Sequence, residues 1–384
     1  MGFRLKCCVA ALVAGWALCA AALPCSAEND LPAGTSAGNY DDGSDAPRLE
    51  SLLPDQVARN LDVNAWGWLS YLYSNQNPRD YWVTDLAVGA TQRFGNRIAG
   101  SVDMHFIDDH EHLSGFLEQA FVSAKLSEST GTLLTAGKFN AGFGIEPRDA
   151  WDRLGGTTSL LFGAQPQDLI GVMLTQPIGE TGLTVRPFVA NGFGGRFDFD
   201  QPPSVGVTAE YQPRHELSFA LTNWVGRGVS RAAAAPTPDQ QAFALAGFKY
   251  AVWDWVGPRL QAGQSGTLYF LDARMTWLPR PDLTLQAEGL LATNGPAAGR
   301  MSWGGLAALA NYDLTDRWRV FGRWSFLNDA QGIVTGVPTQ RHELSGGVGF
   351  EVLRGLELRV EYRHDFSTTT ADMDSISAHL TFAY

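Results

Sequence analysis

Hydrophobic and polar side chains alternate along short stretches throughout most of the chain. In residues 317–326 one face would carry Trp318, Val320 and Trp324, while the opposite face would carry Arg319 and Arg323. Residues 97–106 and 356–365 repeat this arrangement. Because successive side chains of a strand point to opposite faces, a period of two sustained over about ten residues predicts amphipathic β-strands.

The spacing of aromatic residues indicates what covers the apolar face. A strand in a soluble sandwich also alternates, so alternation alone does not decide between lipid and a second sheet. Trp318 and Phe326 are eight residues apart, which is about 26 Å of strand at roughly 3.3 Å per residue. Tilted by about 40°, that strand crosses roughly 20 Å, compatible with the apolar band between the aromatic girdles of an outer-membrane barrel. The pattern therefore favours a barrel in lipid.

Connections between the alternating segments are short and long in turn, which predicts an all-β, transmembrane, antiparallel up-and-down β-barrel. Residues 226–266 are the one ambiguous stretch. Taken as a single long outer loop, they leave sixteen strands, whereas a hairpin around residues 241–253 would give eighteen. We predict sixteen, with the C-terminus on the same side as the short turns. Closure also leaves no backbone edge unpaired in hydrocarbon.

The N-terminal segment has the order of an export signal. Arg4 and Lys6 precede a long uncharged apolar run, and small residues follow it up to Ala27. This predicts a cleaved signal peptide over residues 1–27. Residues 28–60 are acidic and form a predicted periplasmic segment, which leaves residues 61–384 for the barrel. All 4 cysteines lie before residue 28, so the barrel must be stable without disulfides.

Composition and motifs exclude several function classes. A net charge of −12 argues against nucleic acid, because nucleic-acid binding draws on clustered Lys and Arg. Neither a Gly-x-Ser-x-Gly element nor a phosphate-binding loop occurs in residues 61–384. Residues 108–112, Asp-Asp-His-Glu-His, are the densest set of metal ligands or acid–base groups, but they lack a fixed third ligand. We therefore predict no enzyme, no metal and no cofactor.

A barrel of about sixteen strands is wide enough to hold an aqueous channel. The sequence thus predicts an outer-membrane porin that passes small hydrophilic solutes or ions by passive diffusion. Residues 140–166 carry mixed charges and glycines, and either fold into the lumen or form an ordinary outer loop. The predicted pore-lining or constriction residues are Lys138, Glu146, Arg148, Asp149, Asp152, Arg153, Arg186, Arg319, Arg323, Arg359 and Arg363. Acids and bases on the predicted inner face nearly balance, so ion selectivity stays open.

Short motifs resemble the beta-barrel porin family two, also called OmpL-like. They are Glu-Gln-Ala-Phe-Val at residues 118–122, Gly-Lys-Phe at 137–139 and Gly-Ile-Glu at 144–146. The family layout covers most of residues 61–384 and implies an outer-membrane porin of unassigned substrate. Residues 155–160, Gly-Gly-Thr-Thr-Ser-Leu, depart from the polar segment expected after the Glu of the third motif.

The last strand alternates and ends in Tyr384, which resembles the C-terminal strand that the barrel-assembly machinery recognises. The resemblance implies that machinery, outer-membrane lipid and lipopolysaccharide as partners, and the cell outer membrane as location. Two alternatives to a porin remain. One is a barrel enzyme or ligand-binding barrel with an occluded lumen, and the other is an adhesion barrel that uses residues 226–266. The sequence leaves open whether the chain forms a homo-oligomer.

Overall fold

The computed structural model describes residues 60–75, 81–108, 113–140, 142–147, 149, 151–166, 168–191, 203–228, 266–295, 301–334, 338–368 and 372–383. The predicted signal peptide, almost all of the acidic segment, and the stretch 229–265 lie outside these residues, as do Arg148 and Tyr384. Within the described part of the chain, no helix is long and apolar enough to cross a membrane.

Sixteen β-strands account for most of the described residues, with one short 3-10 helix at Phe162–Ala164. The strands are β1 Leu61–Ser74, β2 Tyr81–Phe94, β3 Ile98–Asp108, β4 Leu113–Ser127, β5 Thr132–Asn140, β6 Asp168–Pro177, β7 Leu183–Asn191, β8 Pro203–Arg214, β9 Leu217–Gly228, β10 Gly266–Arg280, β11 Leu283–Gly295, β12 Met301–Asp313, β13 Trp318–Asp329, β14 Thr339–Leu353, β15 Leu356–Ser367 and β16 Met373–Ala383.

Each strand pairs antiparallel with its neighbours in sequence, and the last strand pairs with the first, which closes the barrel. Leu69 of β1 lies opposite Leu380 of β16, for example. Strands β9 and β10 pair directly, with Gly228 opposite Gly266. The predicted number of sixteen strands and the up-and-down topology are therefore confirmed. Closure satisfies the backbone N–H and C=O groups of every strand without water.

The alternation predicted for β13 and β15 is confirmed. Trp318 and Trp324 are exposed on the outside, whereas Arg323 between them is buried on the inside. In β15, Leu358, Val360 and Tyr362 are exposed and their charged neighbours are buried. Exposed aliphatic and aromatic side chains continue around the outer face of most strands, as a barrel that faces acyl chains requires.

Aromatic side chains form a belt at each end of the outer surface. At the end that carries the short turns, Trp318 packs on Phe350 with ring centroids 4.5 Å apart. At the end that carries the long connections, Tyr71 packs on Trp82 with centroids 5.0 Å apart, and Phe326 stacks on the His342 ring at 4.7 Å. Amphipathic rings at two levels are typical of the membrane interfaces of outer-membrane barrels.

Candidate functional site

The connection between β5 and β6, called here the inner loop, folds into the barrel. Its described residues are 142–147, 149 and 151–166. Thr157, Ser159 and Leu161 in the middle of the loop are almost completely buried. Far across the barrel, Thr157 bonds Glu361 of β15, the N–H of Leu160 bonds Ser325 of β13, and Leu161 lies against Gly305 of β12. Of the two placements left open by the sequence, the structure shows the one inside the lumen.

Glycine in the Gly-Lys-Phe motif allows β5 to lie close to β4 just before the inner loop begins. Gly137 has a φ of 133°, a conformation that residues with a side chain rarely adopt. A Cβ atom at this position would lie 2.3 Å from the carbonyl oxygen of Ala120. The local backbone therefore requires glycine, and the next residue, Lys138, donates a hydrogen bond of 2.6 Å to the carbonyl of Leu117.

Charged residues on the inner face of β13, β14 and β15 form a charged wall. It comprises Arg319, Arg323, Glu343, Glu357, Arg359, Glu361, Arg363 and Asp365. Arg323 lies at its centre, with guanidinium nitrogens 2.7 Å from Glu343 and 3.2 Å from Glu361 of the wall. A third carboxylate, that of Glu146 in the inner loop, lies 3.0 Å away. One guanidinium thus joins two wall strands to the inner loop.

The acids of this network also bind the backbone of the inner loop. The Glu361 carboxylate accepts hydrogen bonds of 2.8 Å from the backbone N–H groups of Gly156 and Thr157. Within the loop, the Glu146 carboxylate accepts a bond of 2.8 Å from the N–H of Ser159. Gly156 lies so close to the ring of His379 that an added Cβ would overlap it. The Gly-Gly-Thr-Thr-Ser segment is therefore a close-fitting strip of backbone donors.

Arginines of the charged wall bind loop carbonyls in the same manner. Arg359 donates to the carbonyl of Trp151 at 2.7 Å, and Arg363 donates to that of Thr158 at 2.6 Å. Each also pairs with an acid of its own strand, Glu357 and Asp365 respectively. Arg319 pairs with Glu357 at 2.7 Å. Acids of the charged wall therefore neutralise its arginines.

The part of the barrel that adjoins the charged wall presents an apolar wall to the inner loop. It comprises Phe188, Ala190, Trp224, Leu268, Phe270, Leu290, Ala292 and Trp303, all buried on β7 and β9 to β12. Phe143, Ile145 and Leu161 of the loop pack into this cluster. The Phe143 ring meets that of Phe270 edge to face at 5.1 Å. The Trp303 indole N–H donates a bond of 3.0 Å to the carbonyl of Ala164.

A cavity of about 270 Å³ lies below the inner loop, toward the short-turn end of the barrel. Ile145, Thr184, Glu210, Arg274 and Gln286 are among its lining residues. Arg274 pairs with Asp272 at 3.0 Å and donates to the loop carbonyl of Gly144 at 3.1 Å. Polar side chains of β7 to β11 thus line the lumen where the apolar wall ends.

Asp152 is the exposed acid of the inner loop beside the charged wall. Desolvation inside the lumen raises the pKa of its carboxyl above the ordinary value, and the positive charge of Arg359 opposes the rise. Arg153, by contrast, is only 2% exposed, and its guanidinium lies over the Trp68 ring at 5.6 Å. Asp152 and Arg153 are adjacent in the loop, but the first is exposed in the lumen and the second is buried.

Comparison with protein families identifies the chain. The family model described as "Putative beta-barrel porin-2, OmpL-like" matches residues 65–382. The chain belongs to this family. The match spans all but the ends of the sixteen-strand barrel, so the resemblance carried by the short motifs is confirmed. This OmpL-like porin is an outer-membrane protein.

Solved structures share its fold at low sequence identity. The anion-selective porin from Comamonas acidovorans superposes with a TM-score of 0.59 at 8% identity, and the alignment covers 84% of this chain and 100% of that one. The trimer form of OmpT from Vibrio cholerae gives 0.57 at 9% identity, covering 84% and 99%. The channel DcaP of Acinetobacter baumannii gives 0.56 at 10% identity, covering 85% and 98%. No curated protein sequence matches significantly.

The structure brings only part of the predicted site residues together. Glu146 pairs with Arg323, and the carbonyl of Arg153 accepts a bond from Arg319. Arg359 and Arg363 also reach the inner loop, but through the carbonyls of Trp151 and Thr158. Lys138 lies elsewhere, 3.6 Å from Asp168, and Arg186 pairs with Glu210 on β8. Asp149 lies beside His105 and Glu118. Arg148 and residues 109–112 are outside the described part of the chain.

Two groups of inward residues escaped sequence reasoning on this OmpL-like porin. Strict alternation predicts a polar lumen everywhere, so the apolar wall was missed. A signal was present in β10, where residues 268–271, Leu-Tyr-Phe-Leu, are apolar on both faces of the strand. The second group consists of Asp85, His105 and Glu118, which contact one another across three strands. Their spacing along the chain does not predict that contact.

Proposed function

We propose that this porin is a passive diffusion channel for small hydrophilic solutes or ions, narrowed by the inner loop. The observation that carries the proposal is the fixed position of that loop inside the barrel, where Glu146 and the backbone of residues 156–158 are bound to the charged wall. A loop held at both walls reduces the cross-section of a sixteen-strand lumen that would otherwise be wide.

Partly exposed charges are the residues that a passing solute meets. Asp152, Arg186 and Glu210 are more exposed than any charge in the centre of the network. Arg323, Arg359 and Arg363 are 1–3% exposed, because the inner loop covers them. We therefore assign these three arginines to holding the loop, and Asp152 and Arg186 to lining the passage.

Weak ion selectivity follows from the pairing of these charges. Arg186 pairs with Glu210, and Arg274 pairs with Asp272. Rings of uncompensated charge give channels their selectivity, whereas paired acids and bases present a small net field. The channel would then discriminate by size more than by charge.

The competing enzyme and adhesion hypotheses depend on residues 108–112 and 226–266, most of which lie outside the described residues. We propose that the chain is not an enzyme.

We also propose that the exposed apolar face contacts outer-membrane lipid and lipopolysaccharide, and that the assembly machinery binds the C-terminal strand. The trimer form of the Vibrio cholerae neighbour supports a homo-oligomer here. Cleavage of residues 1–27 and a periplasmic location of residues 28–60 complete the proposal.

Planar-bilayer recording on the purified, heat-modifiable protein tests the channel. We expect stepwise ionic conductance, together with swelling of loaded liposomes in small sugars at a rate that falls with sugar size. The rate should rise linearly with sugar concentration, because diffusion does not saturate. A variant at an exposed short turn, Glu128→Gln, is the matched control and should conduct like the parent. Folded protein that gives no steps would refute the channel, and a saturating rate would refute passive diffusion.

A further inference from the structure

Three side chains with metal-binding atoms converge on the lumen side of β3 and β4. His105, Glu118 and Asp149 each offer one ligand atom, and these atoms all lie within 4.8 Å of one another. His105 and Glu118 are 1% exposed, and Asp149 is half-buried. The first two come from the barrel wall and the third from the inner loop. The cluster is separate from the charged wall on β13 to β15.

The strand carrying Glu118 is distorted at that residue. Asp103 of β3 pairs with Gln119 of β4, but the next residue, Met104, pairs with Leu117. Glu118 is therefore the extra residue of a β-bulge. Bulges re-aim side chains and are frequent beside functional sites. Here the bulge turns the Glu118 carboxylate inward, against Nε2 of the His105 ring.

Asp85 of β2 fixes the orientation of the imidazole. Its carboxylate oxygens lie 3.3 and 3.4 Å from Nδ1 of His105, and the edge of the Trp66 ring holds the imidazole at a centroid distance of 4.8 Å. When Nδ1–H donates to Asp85, Nε2 is left with its lone pair directed at Glu118. A carboxylate that accepts the second N–H of a ligating histidine is the usual outer partner of protein metal sites.

We propose that His105, Glu118 and Asp149 bind a divalent transition-metal ion, Zn²⁺ above Mg²⁺ or Ca²⁺, with Asp85 as the positioning residue. One imidazole and two carboxylates are a donor set that zinc accepts, whereas Mg²⁺ and Ca²⁺ take oxygen ligands. Ligand atoms about 2.1 Å from a tetrahedral ion are roughly 3.4 Å apart. Asp149 lies on a loop and can approach the other two, while the Glu118 carboxylate, which now lies against Nε2 of His105, has to turn aside to admit the ion.

Coordination would bind the inner loop to β2, β3 and β4, a part of the barrel that neither the charged wall nor the apolar wall reaches. The loop would then have a third attachment, dependent on metal. The proposal does not depend on conduction, because metal binding is measured on the folded protein whether or not it passes solutes.

Equilibrium dialysis of the folded full-length protein against Zn²⁺, after removal of metal by chelator, tests the site. We expect one bound Zn²⁺ per chain that millimolar Mg²⁺ does not displace. His105→Asn, Glu118→Gln and Asp149→Asn should each weaken binding at least tenfold. Asp85→Asn should weaken it about 10–100-fold, as losses of an outer partner do. Replacing Zn²⁺ with Co²⁺ should give a visible spectrum that His105→Asn abolishes and Asp85→Asn shifts.

Matched controls separate this site from adventitious binding. His364→Asn removes a histidine that also contacts an acid, Asp374, at 2.8 Å, and Asp152→Asn removes another acid of the inner loop. Both should bind as the parent does, as should the double variant His110→Asn, His112→Asn. Asp149→Asn leaves the barrel strands untouched, so it stays informative if a strand variant fails to fold. The proposal would be overturned if the parent bound no Zn²⁺. It would also be overturned if the control substitutions, and not those of His105, Glu118 and Asp149, abolished Zn²⁺ binding.

Discussion

The inner loop is held by two different kinds of interaction, one at each wall. Toward β13 to β15 it meets the charged wall, where Arg323 and Glu361 bind named atoms of the loop at 2.7–3.0 Å. Toward β7 and β9 to β12 it meets the apolar wall, where Phe143 and Leu161 are packed among buried rings and aliphatic chains. One side recognises backbone groups individually, and the other side removes apolar area from water.

The difference shows how position and attachment are divided between the walls. Burial of apolar area is non-directional and amounts to about 25 cal/mol per Å², so the apolar wall attaches the loop without defining its register. Hydrogen bonds to charged groups are directional and contribute about 1.5–3 kcal/mol each. A buried ion pair adds little net stability, yet removing one partner costs about 3–5 kcal/mol. The charged wall therefore specifies one loop conformation and makes departures from it costly.

The largest effect is expected for Arg323→Met. The substitution leaves three buried acids without their common cation, namely Glu146, Glu343 and Glu361. We expect docking of the inner loop to weaken by about 3–5 kcal/mol, while the barrel stays closed. Cleavage of the loop by trypsin in folded protein measures this, because its rate follows the open population when opening is fast.

Arg186→Met provides the matched control for that substitution. Arg186 also pairs with a glutamate, but the two side chains are 30% and 36% exposed, so the expected loss is below about 1 kcal/mol. Equal cleavage rates in the two variants would show that the charged wall does not hold the loop. Adding Glu146→Gln to Arg323→Met should restore part of the docking, because it removes one of the stranded charges.

A smaller loss is expected on the apolar side, for Leu161→Ala. Leu161 is fully buried, and its side chain fills the space that a Cβ at Gly305 would enter. Truncation removes transfer free energy and leaves a cavity, so docking should weaken by about 2–3 kcal/mol, at the lower end for such sites because a loop can relax. Trypsin cleavage should accelerate less than in Arg323→Met. A larger acceleration would reverse the ranking of the two walls.

The contrast between the walls also explains what sequence reasoning could reach. Alternation in β13 and β15 places charges inward and apolar residues outward, so the barrel and the direction of Arg319, Arg323, Arg359 and Arg363 followed from local pattern alone. Their partners did not follow, because Glu146 lies 177 residues from Arg323 along the chain. Only closure of the barrel brings such residues into contact.

The apolar wall and the His105 cluster were missed for related reasons. Phe270 faces the lumen, where alternation predicts a polar residue. It is apolar there because the inner loop covers it. Alternation along a strand reports only whether each face meets lipid or water. It carries no information about a loop from a distant part of the chain that packs on the inner face. The inward direction of Glu118 depends on a bulge, and an inserted residue reverses the alternation locally without leaving a mark in composition.

The smallest expected effect concerns Asp152, which faces the lumen and takes no central part in either wall. Burial raises the pKa of its carboxyl, so on acidification this group becomes neutral at a higher pH than an ordinary aspartate does. A channel whose other charges are paired should then lose a small cation preference as the pH falls, and at a higher pH than an ordinary aspartate would produce. Reversal potentials in a salt gradient, measured against pH, report this loss.

Asp152→Asn removes the titrating group and should make the reversal potential at neutral pH equal to that of the parent at acidic pH. Its own potential should stay constant over the same interval. Glu128→Gln, at an exposed turn outside the lumen, should follow the parent curve. If the reversal potential of Asp152→Asn still changes with pH as that of the parent does, another acid determines the ion preference. The passage then runs along a different part of the lumen. The same recordings thus decide whether solutes pass beside the charged wall, where Asp152 lies, or along the cavity lined by Glu210 and Arg274.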